Sequence, residues 1–471
     1  MRPAFFLSCV ALLCACAVPH DRADRSVQLP SAWHEAAASP TGAGTVDAQW
    51  WRGFGSAELD ALVARAQAQS LDLAAAVARV RQADAQAVIA GAAQRVQGSG
   101  AIDVGREGRL GGRAEVDGST YAAGFVARYE LDVWGRAAAL RVQAVQGVRA
   151  SAFDRDTVRL GLTARAASAW LLVLALHERA SIAGRNFENA RRVLALVASR
   201  SRAGAVSPLD LAQQRGLVAQ QQRSLAALRQ QAADAETALA VLLGTPMPAG
   251  GPRGLRLDAL QVPPIDAASA PSDLLVRRPD IARAEAQLAA ADADVLAARA
   301  ALLPAVTLSA TLGTGQGRYS QIFDNPIYSL AAGLTAPIFD GGRLAGAQKL
   351  AEARREELLA DYRGAIVAAF GDTRTALDGV SGIDAQAEAQ AGELAEARRA
   401  AELSEARYRA GAETLLTLLD AQRTLYGAQD LSVQLRMARL QARVALYRAM
   451  GGGWRQGAGA SAMAQGERAP G

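Results

Sequence analysis

The residue types that most often carry out chemistry are rare in this chain of 471 residues. The cysteines and histidines are Cys9, Cys14, Cys16, His20, His34 and His177. The cysteines crowd at the N-terminus and the histidines are scattered, while no serine, cysteine or carboxylate pair shows catalytic spacing. The sequence therefore predicts no enzyme, no metal site and no bound cofactor. The reactive residues whose role still needs an explanation are the N-terminal cysteines.

One of these cysteines, Cys16, lies where a covalent lipid would be attached. Arg2 precedes the apolar run 5–13, and Leu13-Cys14-Ala15-Cys16 places small residues just before a cysteine, as in a signal peptide that ends in a lipobox. We expect residues 1–15 to be a signal peptide and Cys16 to carry the lipid. No second cysteine would then remain for a disulfide. The alternative is an ordinary secretory signal in which Cys16 is incidental.

The composition favours extended helices that pack through small side chains. Hydrophobic residues make up 51% of the chain but aromatic residues only 5%. The net charge is +5, yet acidic residues accompany the arginines and no basic stripe occurs, so we expect no nucleic-acid binding. After the signal peptide no segment reaches the ~18 to 20 apolar residues of a spanning helix. Any membrane-spanning part is therefore expected to consist of β-strands.

The elements predicted for the first half of the chain follow a simple order. Residues 16–55 read as a lipidated, extended leader because prolines and Gly42 interrupt regular structure. A first repeat, 56–252, begins with a helix that Ser56 caps. Its remaining elements are extended segments at 98–113 and 121–133, an uninterrupted helix over 134–202 of about 100 Å, and a return helix over 209–243.

The same order of elements is predicted again after a linker at 253–271. The second repeat, 272–450, contains a helix at 272–303, strands at 305–315 and 328–338, a long helix over 340–408 and its return over 414–450. The turns match closely, since Arg202-Ala203-Gly204-Ala205 in the first repeat corresponds to Arg409-Ala410-Gly411-Ala412 in the second. The tail 451–471 is rich in small residues and is expected to be disordered.

The predicted strands bear on the number of copies. Four strands of roughly 10 residues have the length of tilted transmembrane strands, but the smallest outer-membrane barrels have about 8 strands. One chain cannot close a barrel. Several copies must therefore share one sheet if these strands span a membrane, and the strand spacing leaves the number of copies open.

Six separated motifs occur along the chain in a fixed order. They are the lipobox, Trp50-Trp51-Arg52-Gly53-Phe54, Tyr129-Glu130-Leu131-Asp132, Arg277-Arg278-Pro279-Asp280-Ile281, Pro337-Ile338-Phe339-Asp340-Gly341-Gly342 and Leu419-Asp420-Ala421-Gln422-Arg423. Together they resemble the TolC-like outer membrane efflux protein family, in its lipidated NodT-type branch. The resemblance extends from Cys16 to about Trp454.

This resemblance implies an α+β membrane protein that forms a homotrimer. Its 12-stranded transmembrane β-barrel, with four strands per chain, would be continued by a long periplasmic α-helical barrel. The implied function is that of the outer membrane exit duct of a tripartite efflux system, which passively conducts substrates delivered by an inner-membrane pump and a periplasmic adaptor. Ala17 after the lipidated cysteine, by resemblance to bacterial lipoproteins, implies sorting to the outer membrane.

A gate is expected just past the second turn. Leu416, Asp420 and Arg423 fall on one helical face, and in a trimer that face could surround the axis. The resemblance implies that Leu416 forms an apolar ring and Asp420 a carboxylate ring at the periplasmic end, with Arg423 available for ion pairing. The alternative is an ordinary solvated pair of Asp420 and Arg423.

The two helical turns are the candidates for contact with the adaptor, because glycines at a turn let another helical hairpin approach closely. The residues concerned are Arg202, Gly204, Ser207, Arg409, Gly411 and Thr414. Helix capping alone is the alternative explanation for these residues. Among the tryptophans, Trp50 and Trp51 are expected to serve packing, and Trp134, between strand and helix, is the candidate for the membrane interface.

Two other functions compete with the channel. A lipid-tethered periplasmic coiled-coil structural or adaptor protein would explain the long helices and the lipobox, but not two pairs of strands of membrane-spanning length. A secreted hydrolase would need a catalytic constellation that the sequence lacks. The transported substrate cannot be deduced, because a wide water-filled duct selects little.

Overall fold

The computed structural model describes residues 24–27, 46–113, 117–246, 256–263 and 271–456. The chain forms two compact units. The sheet unit contains residues 24–27, 77–154 and 282–365, and the hairpin unit contains 46–76, 155–281 and 366–456. Cys16, the signal peptide and most of the leader lie outside the described residues.

The N-terminal helical segment is split into α1 (Ala57–Gln69) and α2 (Leu71–Ala92). Ser56 caps α1, as predicted, because its hydroxyl accepts a hydrogen bond from the amide of Leu59. The expectation of a single helix is wrong, however. Ser70 has an extended backbone and its hydroxyl accepts from the amide of Leu73, so it ends α1 and starts α2.

The first long hairpin consists of α3 (Arg136–Arg202), with 67 residues, and α4 (Pro208–Leu242), with 35. Gly204 ends α3 with a φ of 72°, a conformation that favours glycine. Ser207 and Asp210 form a reciprocal capping box at the start of α4, where Pro208 is the first helical residue. These bounds match the prediction from the sequence.

The second long hairpin repeats these lengths. Helix α6 (Arg343–Arg409) has 67 residues and α7 (Leu415–Ala449) has 35; their connecting turn contains Gly411 with a φ of 73°. The Asp340 carboxylate accepts hydrogen bonds from the amides of Leu344 and Gly342 at the start of α6. These bonds, that to Leu344 first, hold the pKa of Asp340 below its usual value.

Helix α5 (Pro279–Ala300) follows a separate helical turn, Leu274–Arg277. The expectation of one helix over 272–303 therefore needs correction. Arg278 has an extended backbone, with φ −109° and ψ 122°, because the ring of Pro279 disfavours a helical conformation in the residue before it. Pro279 then occupies the first position of α5.

Two expectations about the chain ends are also corrected. Trp50–Phe54, assigned to the extended leader, forms a short 3-10 helix. Residues 451–456, assigned to a disordered tail, are ordered, since the indole N–H of Trp454 donates to Asp156 at 2.9 Å.

The hydrophobic core of the hairpin unit is built around Trp170, Phe54 and Trp50. Trp50 stacks on Tyr447 with ring centroids 5.3 Å apart, which confirms its expected role in packing. Among the described helices, α3 alone is long and apolar enough to cross a membrane, contrary to expectation, but 61% of its apolar window is buried. Burial of this kind is what a core helix shows, so the apolar stretch of α3 is explained by packing.

Candidate functional site

The sheet unit contains an antiparallel sheet in which β1 to β4 follow the chain order. The strands are β1 (Gln97–Gly108), β2 (Asp117–Leu131), β3 (Ala305–Gln316) and β4 (Ile327–Thr335). The pairing of β2 with β3 joins the two halves of the chain, and it places Phe125 opposite Leu312. Strands β1 and β4 form the two edges, and each pairs with one neighbour within the described residues.

The two faces of this sheet differ in chemistry. Residues directly opposite each other on neighbouring strands share a face, so the register assigns each side chain to one side. The apolar face carries Ile102, Val104, Tyr121, Phe125, Leu308, Leu312, Tyr328, Leu330 and Leu334, and a charged residue, Arg106, near the end of β1. The polar face carries mostly Gly, Ala, Ser and Thr, with Asp103, Glu107, Arg128 and Glu130.

No element of the described ranges covers the apolar face. Ile102 is 78% exposed, Tyr328 79% and Leu330 76%. Just beyond the strands, Ile338 and Phe339 are also exposed, at 85% and 98%. A water-soluble sheet buries such a face against other elements. The apolar face of this sheet must therefore contact an apolar partner or an apolar solvent.

Trp134 lies between β2 and α3, as expected. It is half-buried, and its indole N–H donates to the carbonyl oxygen of Pro304 at 2.7 Å. This bond ties the end of β2 to the residue that precedes β3. The candidate interface tryptophan therefore also joins the two halves of the chain at the base of the sheet.

The two helical turns of the hairpin unit contact each other through an arginine that the sequence analysis missed. The guanidinium of Arg200 donates to the carbonyls of Tyr408 at 3.0 Å and Arg409 at 2.8 Å. It also lies 4.8 Å from the centre of the Tyr408 ring. These carbonyls are at the C-terminal end of α6, where a cation is favourable. The partners are too far apart in sequence for spacing to reveal the contact.

The predicted turn residues are exposed. Arg202 donates to the carbonyl of Ala198 in its own helix, while Arg409 pairs with Glu405 one helical turn earlier. Ser207 and Thr414 each cap the return helix, so capping is established for both residues. Contact with another protein remains a prediction for all six residues.

Glu413 organises the second turn. Its carboxylate accepts from the amide of Thr414 at 3.1 Å and from the hydroxyl of Thr417 at 3.1 Å. These bonds, in that order, hold the pKa of Glu413 below its usual value. Glu413 therefore stays ionised and fixes the loop that leads into α7.

The expected gate face lies on the surface of α7. Leu416 is 63% exposed, and Asp420 and Arg423 are exposed as well. Within the described part of the chain, neither Asp420 nor Arg423 has a hydrogen-bond or ion-pair partner. The alternative of a simple ion pair between them is thus not what the structure contains. Behind this face, the buried side chains of Leu415, Leu418 and Leu419 join a second core cluster with Tyr408 and Val197.

Arg423 also borders a polar cleft of about 230 Å³. The cleft includes Tyr426 and Asp430 from α7, and Arg179 and Asn186 from α3. Arg179 forms a two-pronged ion pair with Asp430, at 2.6 and 3.0 Å. This pair joins α3 to α7, so the helix that carries the gate candidates is tied to the first hairpin.

The motif Arg277-Arg278-Pro279-Asp280-Ile281 has a structural explanation. Arg278 is buried, and its guanidinium donates to Asp280 at 2.7 Å, to Asp372 at 3.2 Å and to the carbonyl of Ala449 at 3.1 Å. Burial acts to lower the pKa of Arg278, but the bonds to the two carboxylates outweigh it and raise the pKa. The guanidinium thus provides a hydrogen-bond donor for the carbonyl of Ala449 at the end of α7, and it holds α5, α6 and α7 together.

In the described ranges no group of three or more His, Cys, Asp or Glu side chains is arranged to hold a metal ion. A family model described as outer membrane efflux protein matches residues 62–245 and again 270–452. These two stretches cover more than half of the chain. The chain belongs to the outer membrane efflux protein family. The family and the fold are those of outer membrane channels, not of enzymes.

Relatives of known function agree with the family. The pyoverdine export outer membrane protein OpmQ of Pseudomonas aeruginosa is 47% identical over 463 residues, covering 96% of this chain and 97% of OpmQ. The outer membrane protein OprJ of the same organism is 34% identical, and the alignment covers 97% of each chain. This outer membrane efflux protein is thus an outer membrane channel of a tripartite efflux system, and the tethered structural protein is set aside.

Solved structures show the same fold. CusC, whose structures are described in connection with transmembrane channel formation, superposes with a TM-score of 0.83 at 26% identity, covering 93% of this chain and all of CusC. The open state of the MtrE channel of Neisseria gonorrhoeae gives 0.83 at 27% identity, covering 93% of this chain and 98% of MtrE. This efflux protein therefore has the fold of TolC-family channels, mostly helical with a small antiparallel sheet.

Proposed function

We propose that three copies of this chain form one passive exit duct, with a 12-stranded β-barrel in the outer membrane and an α-helical barrel in the periplasm. The observation that carries the proposal is the two-faced sheet with open edges. Its apolar face suits lipid and its polar face suits a water-filled lumen. Since β1 and β4 run antiparallel, the edge of one copy can pair with the opposite edge of the next and remove all free edges.

The experiment that tests the shared barrel is disulfide crosslinking between strand edges. Ser99→Cys on β1 is combined in turn with Ser329→Cys, Ala331→Cys and Gly333→Cys on β4, in membranes of cells that express each pair. One combination is expected to give covalent dimers and trimers on denaturing gels. A pair on neighbouring strands of one sheet, Ala101→Cys with Gly124→Cys, is the control and should give monomers with an internal disulfide. If all three combinations gave only monomers, the shared barrel would be contradicted.

The gate belongs to the same proposal. Leu416, Asp420 and Arg423 form one exposed face of α7, and in the trimer we place this face toward the axis. Leu416 then closes the duct by apolar packing, while Asp420 adds a ring of negative charge. Arg423, which has no partner in the described chain, is free to pair with a neighbouring copy. The capping and Arg200 contacts support the view that the nearby turns are rigid enough to hold such a ring.

The partners follow from the family. We place the periplasmic adaptor against the turns around Gly204 and Gly411, and the inner-membrane pump beyond the adaptor. The exposed side chains of Arg202 and Arg409 flank these glycines and can donate hydrogen bonds to an approaching hairpin. The duct itself carries out no catalysis and holds no cofactor.

The domain organisation is also part of the proposal. Two repeats, 56–252 and 272–450, are joined by the linker 253–271, and this division is supported by the equal helix lengths of the two hairpins and by the two matches to the family model. The leader 16–55 would follow a signal peptide, 1–15, and begin with a lipid on Cys16. Radiolabelled palmitate incorporation, with Cys16→Ser as the negative control, tests the lipid.

The cargo is proposed from the relatives. OpmQ proteins of Pseudomonas aeruginosa and Pseudomonas putida, each named for pyoverdine export, are both 47% identical to this chain. We place a pyoverdine-like siderophore among the substrates of the system that this channel serves. Expression in a Pseudomonas strain that lacks its own export channels should restore fluorescent siderophore in the medium, and no restoration would contradict this cargo.

A further inference from the structure

The polar cleft of the hairpin unit contains two buried amides that lack partners. Asn186 on α3 is 7% exposed and Gln221 on α4 is 8% exposed, and both line the cleft. Within the described residues, neither side-chain amide has a hydrogen-bond partner. Buried polar groups in proteins are normally hydrogen-bonded, so these two amides are an exception. Both are available to a molecule that enters the cleft.

The charges around the cleft leave a positive surplus. Asp430, the carboxylate that lines the cleft, is held by Arg179 at 2.6 and 3.0 Å and by the side-chain amide of Gln434 at 2.6 Å. Arg423 is exposed at the cleft and has no partner among the described residues. An entering molecule therefore meets one uncompensated guanidinium beside neutral amides, and this environment favours a single negative charge.

The volume of the cleft and its hydrogen-bonding groups indicate the class of ligand. The cleft has about 230 Å³, less than the ~300 Å³ at which pockets for drug-sized ligands begin, so it suits a small metabolite. A guanidinium can hold a carboxylate, while amides both donate to and accept from hydroxyl groups. We propose that the polar cleft binds a small hydroxycarboxylate, with its carboxylate on Arg423 and its hydroxyl groups on Asn186 and Gln221.

Arg423 belongs both to the cleft and to the proposed gate face of α7. Under the proposed function, this arginine is available to pair with a neighbouring copy and so to hold the gate closed. A carboxylate bound in the cleft competes for the same guanidinium, so it favours the state in which that pair is broken. The ligand should therefore ease opening of the gate. This consequence rests on the proposed function, whereas binding to the cleft does not.

Equilibrium dialysis of radiolabelled gluconate against the full-length protein, purified in detergent, measures the binding. Gluconate is a hydroxycarboxylate, and sorbitol is its uncharged counterpart. Wild type is expected to bind one gluconate per chain, and sorbitol should not compete. Arg423→Gln should weaken gluconate binding about 30-fold, because it removes the charged donor. Absence of saturable gluconate binding by wild type, or competition by sorbitol, would overturn the proposal.

A substitution at Gly427 tests where the gluconate binds. Gly427 lines the cleft, and a Cβ there would meet no atom within 4 Å outside the adjacent part of its own helix. Gly427→Met should therefore obstruct the cleft without strain and abolish binding. Gly392 on α6 has equally open surroundings but does not line the cleft, so Gly392→Met is the matched control and should bind as wild type does. Binding that survives Gly427→Met would overturn the assignment to this cleft.

The two amides are tested by binding together with stability. Asn186→Leu and Gln221→Leu each replace an unpartnered buried amide by an apolar group of similar size. The thermal midpoint without ligand should therefore stay equal or rise, while gluconate binding falls about five-fold in each variant. Unchanged binding would overturn the role of the amides in the site, and a lowered midpoint would show that they support the fold instead.

Recordings in planar bilayers test the link to the gate. Gluconate at a concentration that saturates the cleft should raise the open fraction of wild-type channels about two-fold, and it should leave that of Gly427→Met unchanged. An unchanged open fraction in wild type would overturn the link to the gate, while the binding data would still decide the site. The strand-edge crosslinks measure the barrel separately, so failure of the ligand site and failure of the channel are told apart.

Discussion

At the scale of single residues, Asp420 and Arg423 on α7, whose side chains have no partner among the described residues, give the most direct test of gating. Asp420→Ala removes the proposed carboxylate ring while leaving the apolar ring of Leu416. Single-channel conductance in planar bilayers is expected to rise, and cation preference to fall, because the negative ring both narrows and charges the constriction. Glu396→Ala removes an exposed carboxylate of α6 and should leave both quantities unchanged. Equal conductance of wild type and Asp420→Ala would place the constriction elsewhere.

The Arg278 cluster gives a prediction with a defined pH dependence. Burial of Asp280 acts to raise its pKa, but the hydrogen bonds and charge of Arg278 outweigh this and lower it. A carboxyl whose folded pKa is lowered stabilises the fold above its unfolded pKa, about 3.9, and this stabilisation is lost as the pH falls through the folded pKa. Asp280→Asn should therefore cost about 2 kcal/mol at neutral pH.

The thermal unfolding of the purified protein, followed by circular dichroism, checks this dependence. The difference in midpoint between wild type and Asp280→Asn should be constant from pH 5 to pH 8 and should shrink below about pH 4. A difference that persisted unchanged in acid would mean that the charge of Asp280 is not what stabilises the cluster.

Residues whose role is local could be predicted from the sequence, whereas residues with distant partners could not. Ser56 and Gly204 act through their own backbone neighbours, so position in the sequence was enough to assign them. Arg278 and Arg200 act on carbonyls and carboxylates from other helices. Nothing in the spacing of an Arg-Arg-Pro-Asp motif indicates that its second arginine is buried between three helices.

At the scale of elements, the bond between the two helical turns is a discrete, testable joint. Arg200→Ala removes two hydrogen bonds at the C-terminal end of α6 and the contact with the ring of Tyr408, so the second turn should lose about 1 to 2 kcal/mol of local stability. Hydrogen exchange of the amides of 408–412 should speed up about ten-fold. Arg202→Ala, whose side chain reaches only its own helix, should have little effect there.

Element bounds were predicted well where glycine and proline act, and poorly where a polar side chain ends a helix. The long helices match because no proline interrupts them and Gly204 and Gly411 stop them. The break at Ser70 was missed because an N-cap serine looks like any polar surface residue within a helical pattern. The break at Arg278 could have been found, since the residue before a proline disfavours the helix.

At the scale of the whole molecule, the sheet faces predict how substitutions affect membrane assembly. Leu330→Arg puts a charge on the apolar face and should cost about 2 to 4 kcal/mol near the bilayer midplane. Ser329→Arg, one residue earlier on the polar face, should be tolerated because it meets water. The measurement is the amount of each variant in outer membranes. Equal amounts of the two variants would contradict the assignment of the faces.

The sheet faces were beyond the sequence for a physical reason. Alternation shows which residues of one strand share a side, but the matching of sides between β2 and β3 depends on the register of strands from different halves of the chain. In β1, four of the twelve residues are glycines, so its alternation is weak. Only the paired register joins Ile102, Phe125 and Leu330 into one surface.

The open edges of the sheet have a consequence for the order of events during biogenesis. The hairpin unit has its own buried core, whereas the described strands of the sheet have no covering layer and two unpaired edges. A single chain released into the periplasm would therefore contain a folded hairpin unit and a sheet whose edge strands could pair with the wrong partner. Closure of the barrel then requires separate chains to associate, so its rate depends on the concentration of chains. Chaperones that shield apolar strands would matter most before this association.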